Sequence, residues 1–95
     1  MAIAVDGKLV VGGGESSLQR NAHDDVEVYD PKTKEWTKWP ALNRGRHGSG
    51  FVRLGNILYT ASGCGNRGGN PELDSIERLK LPTGEPEKFG QDEQN

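Results

Sequence analysis

The sequence predicts an all-β chain built as two adjacent, similar antiparallel units of four short strands each. Three observations carry this. Short apolar runs alternate with Gly, Asp-Pro and Asn punctuation, and nowhere do apolar residues recur at helical spacing. The chain also repeats itself: Leu9, Val10 and Gly14 recur 49 residues on as Leu58, Tyr59 and Gly63, and Val26 and Glu27 recur 50 residues on as Ile76 and Glu77. Within each unit the order is the same: an apolar strand ending in glycine, a variable loop, then a second strand. A period of about 50 residues with that internal order is the pattern of one β-propeller blade. Two blades do not close a propeller, so whatever completes them bears on function.

The elements follow in order. Ala2 to Asp6 is a short apolar strand, and Asp6-Gly7 is a strong two-residue hairpin signal, because both central positions of the favoured turn need positive φ. Leu9-Val10-Val11 is the returning strand, continuously apolar as expected of a strand covered on both faces. Gly12-Gly13-Gly14 ends it, and residues 15–23 are a polar loop. Asp25 to Asp30 is a third strand, with Val26 and Val28 on one face and Glu27 and Tyr29 on the other. Pro31 presets the turn that follows, with Asp30 placed to bond the backbone ahead of it. Glu35 to Trp39 is the fourth strand, stopped by Pro40. Ala41 to Arg46 links the units. The second unit runs Gly48 to Leu54, a tight turn at Gly55-Asn56, Ile57 to Ala61, a glycine-rich loop from Ser62 to Pro71, and Asp74 to Leu81. The organisation is then residues 1–46 as the first blade, 47–82 as a second that is degenerate or incomplete, and 83–95 as a disordered polar tail, with Phe89 a candidate remnant of a fourth strand.

Composition narrows the function classes. The chain has 95 residues, a hydrophobic share of 32% and 14 glycines, so glycine fills much of the apolar quota and the core is marginal unless a neighbour covers it. Cys64 is the single cysteine, so no intrachain disulfide forms and a cytoplasmic, reducing location is expected. The formal charge of −2 argues against nucleic acid as a partner, since phosphate binding needs a clustered basic surface. No apolar run reaches membrane-spanning length, so no membrane partner is expected. The N-terminus lacks the basic region of a signal peptide and enters a strand at once, which reads as a cut through a longer repeat array.

The combination of Gly13-Gly14, then Val26-Glu27-Val28-Tyr29-Asp30-Pro31, then Trp36 resembles the kelch repeat. Pro40-Ala41-Leu42 followed by Arg46-His47 is similar to that family's passage into the next blade. The resemblance covers residues 2 to about 82 and implies a partial kelch-type propeller. It marks Gly13, Gly14, Tyr29, Trp36, Tyr59 and Gly63 as structural motif positions. Glycine there lets strands crowd near the axis, and the aromatic residues fill the wedge between neighbouring sheets. The second unit departs from the pattern. Ser62 replaces the first glycine of the pair, Arg78, Leu79 and Lys80 replace Val28, Tyr29 and Asp30, and no Trp follows. It reads as the last blade of a longer chain.

Few residues carry chemistry. His23 and His47 have no acidic or cysteine partner at metal-ligand spacing, and Cys64 between two glycines lacks an adjacent base, so no catalytic residue, metal or cofactor is expected. Neither glycine cluster completes a phosphate-loop motif. Arginine is the exception. The resemblance implies that the loop after the second strand and the link between blades emerge on one face. That brings Arg20, Asn21 and His23, Arg44 and Arg46, and Asn66 and Arg67 toward one rim as candidate partner-binding residues, with Arg46 set apart as the more structural. Arginine grips carboxylates bidentately and is enriched in binding hot spots. The leading expectation is a non-catalytic module that presents these loops to a protein partner, possessing acidic segments suited to the arginines. Two alternatives stay open. One is a fragment of a kelch-like propeller enzyme of the copper oxidase or sugar-acid epimerase type. The other is a self-assembling scaffold, a homo-oligomer completing a propeller.

Overall fold

Asp6 and Gly7 both adopt positive φ, 49° and 83°, the sign pattern of a type I′ turn. They fold strand β1 (Ala2–Val5) back onto β2 (Lys8–Gly12) with Val5 opposite Lys8. The computed structural model describes residues 1–87. In it β1, β2, β3 (Val26–Asp30) and β4 (Glu35–Trp39) form one antiparallel sheet in that order. A second antiparallel sheet follows in the order β5 (Val52–Leu54), β6 (Ile57–Ala61), β7 (Ile76–Lys80) and β8 (Glu85–Pro86). The chain is therefore all-β, with two adjacent four-stranded blades and no helix among the described residues. No helix of the described residues is long and apolar enough to cross a membrane.

The repeat is reproduced at equivalent backbone bonds. Gly13 N donates to Asp25 O at 3.1 Å, and Ser62 N donates to Ser75 O at 3.0 Å. The third and fourth strands of each sheet are joined by turns in which Lys34 N bonds Asp30 O and Gly84 N bonds Lys80 O, with φ of 61° at Lys34 and 76° at Gly84. Ser62 keeps the backbone of the glycine it replaces, with φ of 61° against 69° at Gly13. A serine held there carries left-handed strain of about 1–2 kcal/mol. Ser62→Gly is therefore expected to stabilise the chain, by up to about 1 kcal/mol once the extra freedom of the unfolded glycine is subtracted. A urea midpoint that fails to rise would show the serine's strain to be offset locally.

Two boundaries differ from the sequence reading. Glu85–Pro86, inside the stretch read as tail, pair with Lys80 and Leu79 and give the second sheet its fourth strand. Pro86 stands where the first blade has Trp36, so a strand forms there without the aromatic signal that marks it. Phe89 lies outside the described residues. The strand expected from Gly48 begins only at Val52. Before it the chain bends, with Gly48 at φ 73° and the Ser49 hydroxyl bonding Ala61 O at 2.5 Å.

The core lies between the sheets. Val5, Val10, Val26 and Val28 of the first face Phe51, Leu58 and Leu79 of the second, with Leu42 of the link closing one side and Trp39 packed against the cluster. The two blades bury opposite faces. Val26 is 0% exposed, whereas Ile76, at the same place in the repeat, is 51% exposed. Leu9 is 39% exposed and its counterpart Leu58 is fully buried. Stacked like successive pages, the first blade offers its trailing face and the second its leading face. Tyr29 and Trp36, with ring centroids 5.0 Å apart, therefore sit on the open leading face of the first blade and not in the wedge between the two. Trp39 fills that wedge. It is three residues after Trp36, and alternation along β4 sends the two rings to opposite sides.

Candidate interaction rim

The loops that follow β2 and β6 both leave the same end of the sheets, because each second strand runs toward that end. Residues 13–25 and 62–75 meet there and are stitched through backbone. Ala22 N donates to Gly65 O at 2.9 Å, Arg67 N donates to Arg20 O at 2.7 Å, and Asn21 and Asn66 form an antiparallel bridge. His47, just past the link, bridges to Cys64, which bridges in turn to Glu72. Two hydrogen-bonding loops from different blades thus behave as one surface.

Side chains add to the stitching. Glu15 Oε1 accepts from Gly68 N at 2.9 Å and lies 3.5 Å from His47 Nε2. His47 Nε2–H donates to Asn66 O at 2.8 Å. Arg67 Nη1 donates to Ser17 O at 3.2 Å, and Arg44 Nη2 to Asn66 Oδ1 at 3.4 Å. His23 is half-buried, with Nε2 2.9 Å from Ser16 Oγ. Arg20, Asn21, Arg44 and Arg67 are exposed, and Asn66 is half-buried between them. A hollow of about 220 Å³ opens between this loop and the link, lined by Asn21, Asp24 and Arg44 among others.

Arg46 does not belong to this rim. It is fully buried, so it presents no group to a partner. Its Nη1 donates to Ser62 O at 3.0 Å and Ser75 O at 3.1 Å, and its Nη2 to Ser75 Oγ at 3.1 Å and Glu77 Oε2 at 2.7 Å. The Glu77 carboxylate also accepts from Asn43 N at 2.7 Å and Arg44 N at 3.0 Å. One ion pair thereby fixes the link of the first blade to the third strand of the second.

The loop contributes two groups that sequence reading passed over. Glu15 ties the loops together, and Leu18 stands 90% exposed at the loop tip between Ser17 and Gln19. Leu18 is legible as a lone apolar residue in a polar loop. Glu15 is legible only once its distant partners are placed. Among the described residues no three His, Cys, Asp or Glu side chains gather as a metal-holding group.

Two stacked antiparallel four-stranded blades with an interlocked loop rim define a repeat protein of the β-propeller type. Residues 2–43 match the kelch motif. It is similar to Kelch-like protein 13 of Mus musculus, 30% identical over 74 residues, which is 76% of this chain and 11% of that protein. It is similar also to Kelch-like protein 21 of Rattus norvegicus, 34% identical over 59 residues, 62% of this chain and 10% of that protein. With Kelch-like protein 25 of Xenopus tropicalis it shares 37% identity over 62 residues, 65% of this chain and 10% of that protein. The chain spans about a tenth of the length of these relatives.

Proposed function

We propose that the chain is a non-catalytic protein-interaction module whose loop rim binds an acidic segment of a protein partner. The observation that carries this is the fusion of the two loops, which displays Arg20, Arg44 and Arg67 on one backbone-stitched surface beside the exposed Leu18. Loops held by hydrogen bonds across blades are already ordered, so less entropy is lost on binding. Arg44 and Arg67 each use one nitrogen in the contacts above, which leaves their remaining donors for a carboxylate. The kelch-like relatives support the reading at the level of the family. The test is fluorescence anisotropy with a panel of labelled Glu- and Asp-rich peptides that include one apolar residue. The double variant Arg44→Ala/Arg67→Ala is expected to weaken the best binder by about 2–4 kcal/mol, at hot-spot scale. Unchanged affinity in that variant overturns the assignment to this rim.

A further inference from the structure

A cavity of about 390 Å³ lies between the two blades, at the end of the sheets opposite the rim. Its walls are the trailing face of the first sheet and the Leu81–Pro82 segment that leaves β7, so it sits inside the contact the two blades make with each other and on neither open face. Its volume falls in the range of about 300–1,000 Å³ usual for ligand pockets. Strand register grades the lining. In successive rows across β3 and β4, Trp39 lies opposite Val26, Thr37 opposite Val28 and Glu35 opposite Asp30. The cavity thus runs from an indole to a pair of carboxylates. The indole is held in place by Gly84, where any side chain would overlap it. The carboxylates are poorly matched. Like charges directly opposite one another on a sheet destabilise it. Asp30 accepts one backbone bond, from Lys32 N at 2.9 Å, and the Glu35 carboxylate has no hydrogen-bond or ion-pair partner among the described residues. Lys8 enters the same row from β2 without forming an ion pair among the described residues, and Asp6 is already matched by Arg53 at 3.0 Å. The acidic end of the cavity keeps a net negative charge, and the other end is apolar.

We propose that this cavity seats an extended segment of a protein partner in which an apolar residue stands two positions from a lysine or arginine. The sign of the charge and the spacing of the rows carry this. Rows two residues apart along β4 are separated by about 7 Å, and side chains at i and i+2 of an extended peptide share that spacing and direction. An apolar side chain among Val28, Leu81 and the Trp39 indole therefore places a cation two residues on at Asp30 and Glu35. Lysine and arginine also cover apolar surface with their stems, and both are donors only, which suits two carboxylates that face one another. An acidic segment of the kind proposed for the rim meets like charge here, and a folded domain does not enter a cavity of this volume. The two sites take opposite charges at opposite ends of the sheets.

The test is fluorescence anisotropy on the full chain with labelled hexapeptides that carry Leu or Phe two residues from Lys or Arg. The same peptides with Gln at the basic position are expected to bind about two- to fivefold more weakly, the scale of an exposed ion pair. Glu35→Lys sets like charge against the basic peptide and is expected to weaken it by more than about tenfold. Thr37→Trp fills the middle row and is expected to abolish binding. Both positions are exposed, so each variant is expected to keep the wild-type circular dichroism, and Glu35→Lys carries the test should Thr37→Trp not fold. In nuclear magnetic resonance spectra the Trp39 indole N–H is expected to move on adding peptide, and that of Trp36, on the other face of β4, to stay. Hexylamine, which has the cation and stem without a backbone, is expected to bind more weakly than the peptide, and equal affinity overturns the peptide assignment. A Gln peptide that binds as tightly as its basic counterpart, unchanged affinity in Glu35→Lys, or an unmoved Trp39 signal overturns the proposal, as does no binding at millimolar peptide. Arg44→Ala/Arg67→Ala is expected to leave this binding unchanged, so failure here and failure at the rim are told apart.

Discussion

Arg46→Met is expected to cost about 3–5 kcal/mol, the range for removing one partner of a buried ion pair. Total stability for a domain of this size is about 5–15 kcal/mol, so much of it is at stake. The reason lies in what is left behind. The Glu77 carboxylate, 9% exposed, keeps only the two backbone N–H donors of the link, and the carbonyl oxygens of Ser62 and Ser75 lose the guanidinium between them. Burying charge without its counter-charge is the costly case. Urea unfolding monitored by circular dichroism measures it as a lower midpoint at unchanged slope. Adding Glu77→Gln to Arg46→Met removes the stranded charge and is expected to recover part of the loss. Strict additivity of the two changes would show that they do not act as a pair. Arg44→Ala, on the exposed rim two residues away, is the control and is expected to leave the midpoint nearly unmoved.

Gly13→Ala is the second large effect, about 2–5 kcal/mol. Gly13 has φ of 69°, and an L side chain there costs about 1–2 kcal/mol. Space costs more: a methyl group would lie 2.5 Å from Arg46 O, a backbone atom of the link. Moving that atom breaks the bond from Gly14 N to Arg46 O and pulls on the buried arginine behind it, and overpacking of this kind costs about 1–3 kcal/mol. Gly65→Ala is the informative contrast. The three atoms nearest its methyl all belong to the guanidinium of Arg44, the far end of a flexible side chain on the surface. Stability is expected to hold while Arg44 is displaced, so peptide binding at the rim falls without any change in the urea midpoint. A comparable loss of stability in both variants would mean that rim and core are less separable than the contacts indicate.

The fold was largely legible in the sequence because its signals are local. Asp6-Gly7, the alternation of Val26 and Val28, Asp30-Pro31 and the recurrence at 49 and 50 residues each report on geometry within a hairpin or between equivalent hairpins. Three features were not legible. Tyr29 and Trp36 look like wedge residues, but which wedge depends on which neighbour is present, and the neighbour within this chain lies on the other side. The β8 strand forms on two residues without apolar pattern because the preceding turn and the free edge of β7 set its place. Arg46 is set apart as structural by the sequence, but the partner that holds it, Glu77, 31 residues away, is not. The rim was half legible. The repeat brings the two loops to one end, whereas the roles of Glu15 and Leu18 depend on how the loops lie across one another.

The stitched loops lie at one end of the sheets and the least filled part of the wedge at the other. At that far end a cavity of about 390 Å³ runs among Val5, Val28, Trp39, Leu81 and neighbouring residues. Mechanically this is a book bound along one edge. Force that parts the blades at the cavity end meets apolar contacts and one exposed ion pair, Arg53 Nη1 to Asp6 Oδ1 at 3.0 Å. Force at the bound edge must shear the Ala22–Gly65 and Arg20–Arg67 hydrogen bonds together. A partner gripping the rim therefore pulls on the stiffest part of the molecule, and whatever gives way first does so at the opposite end.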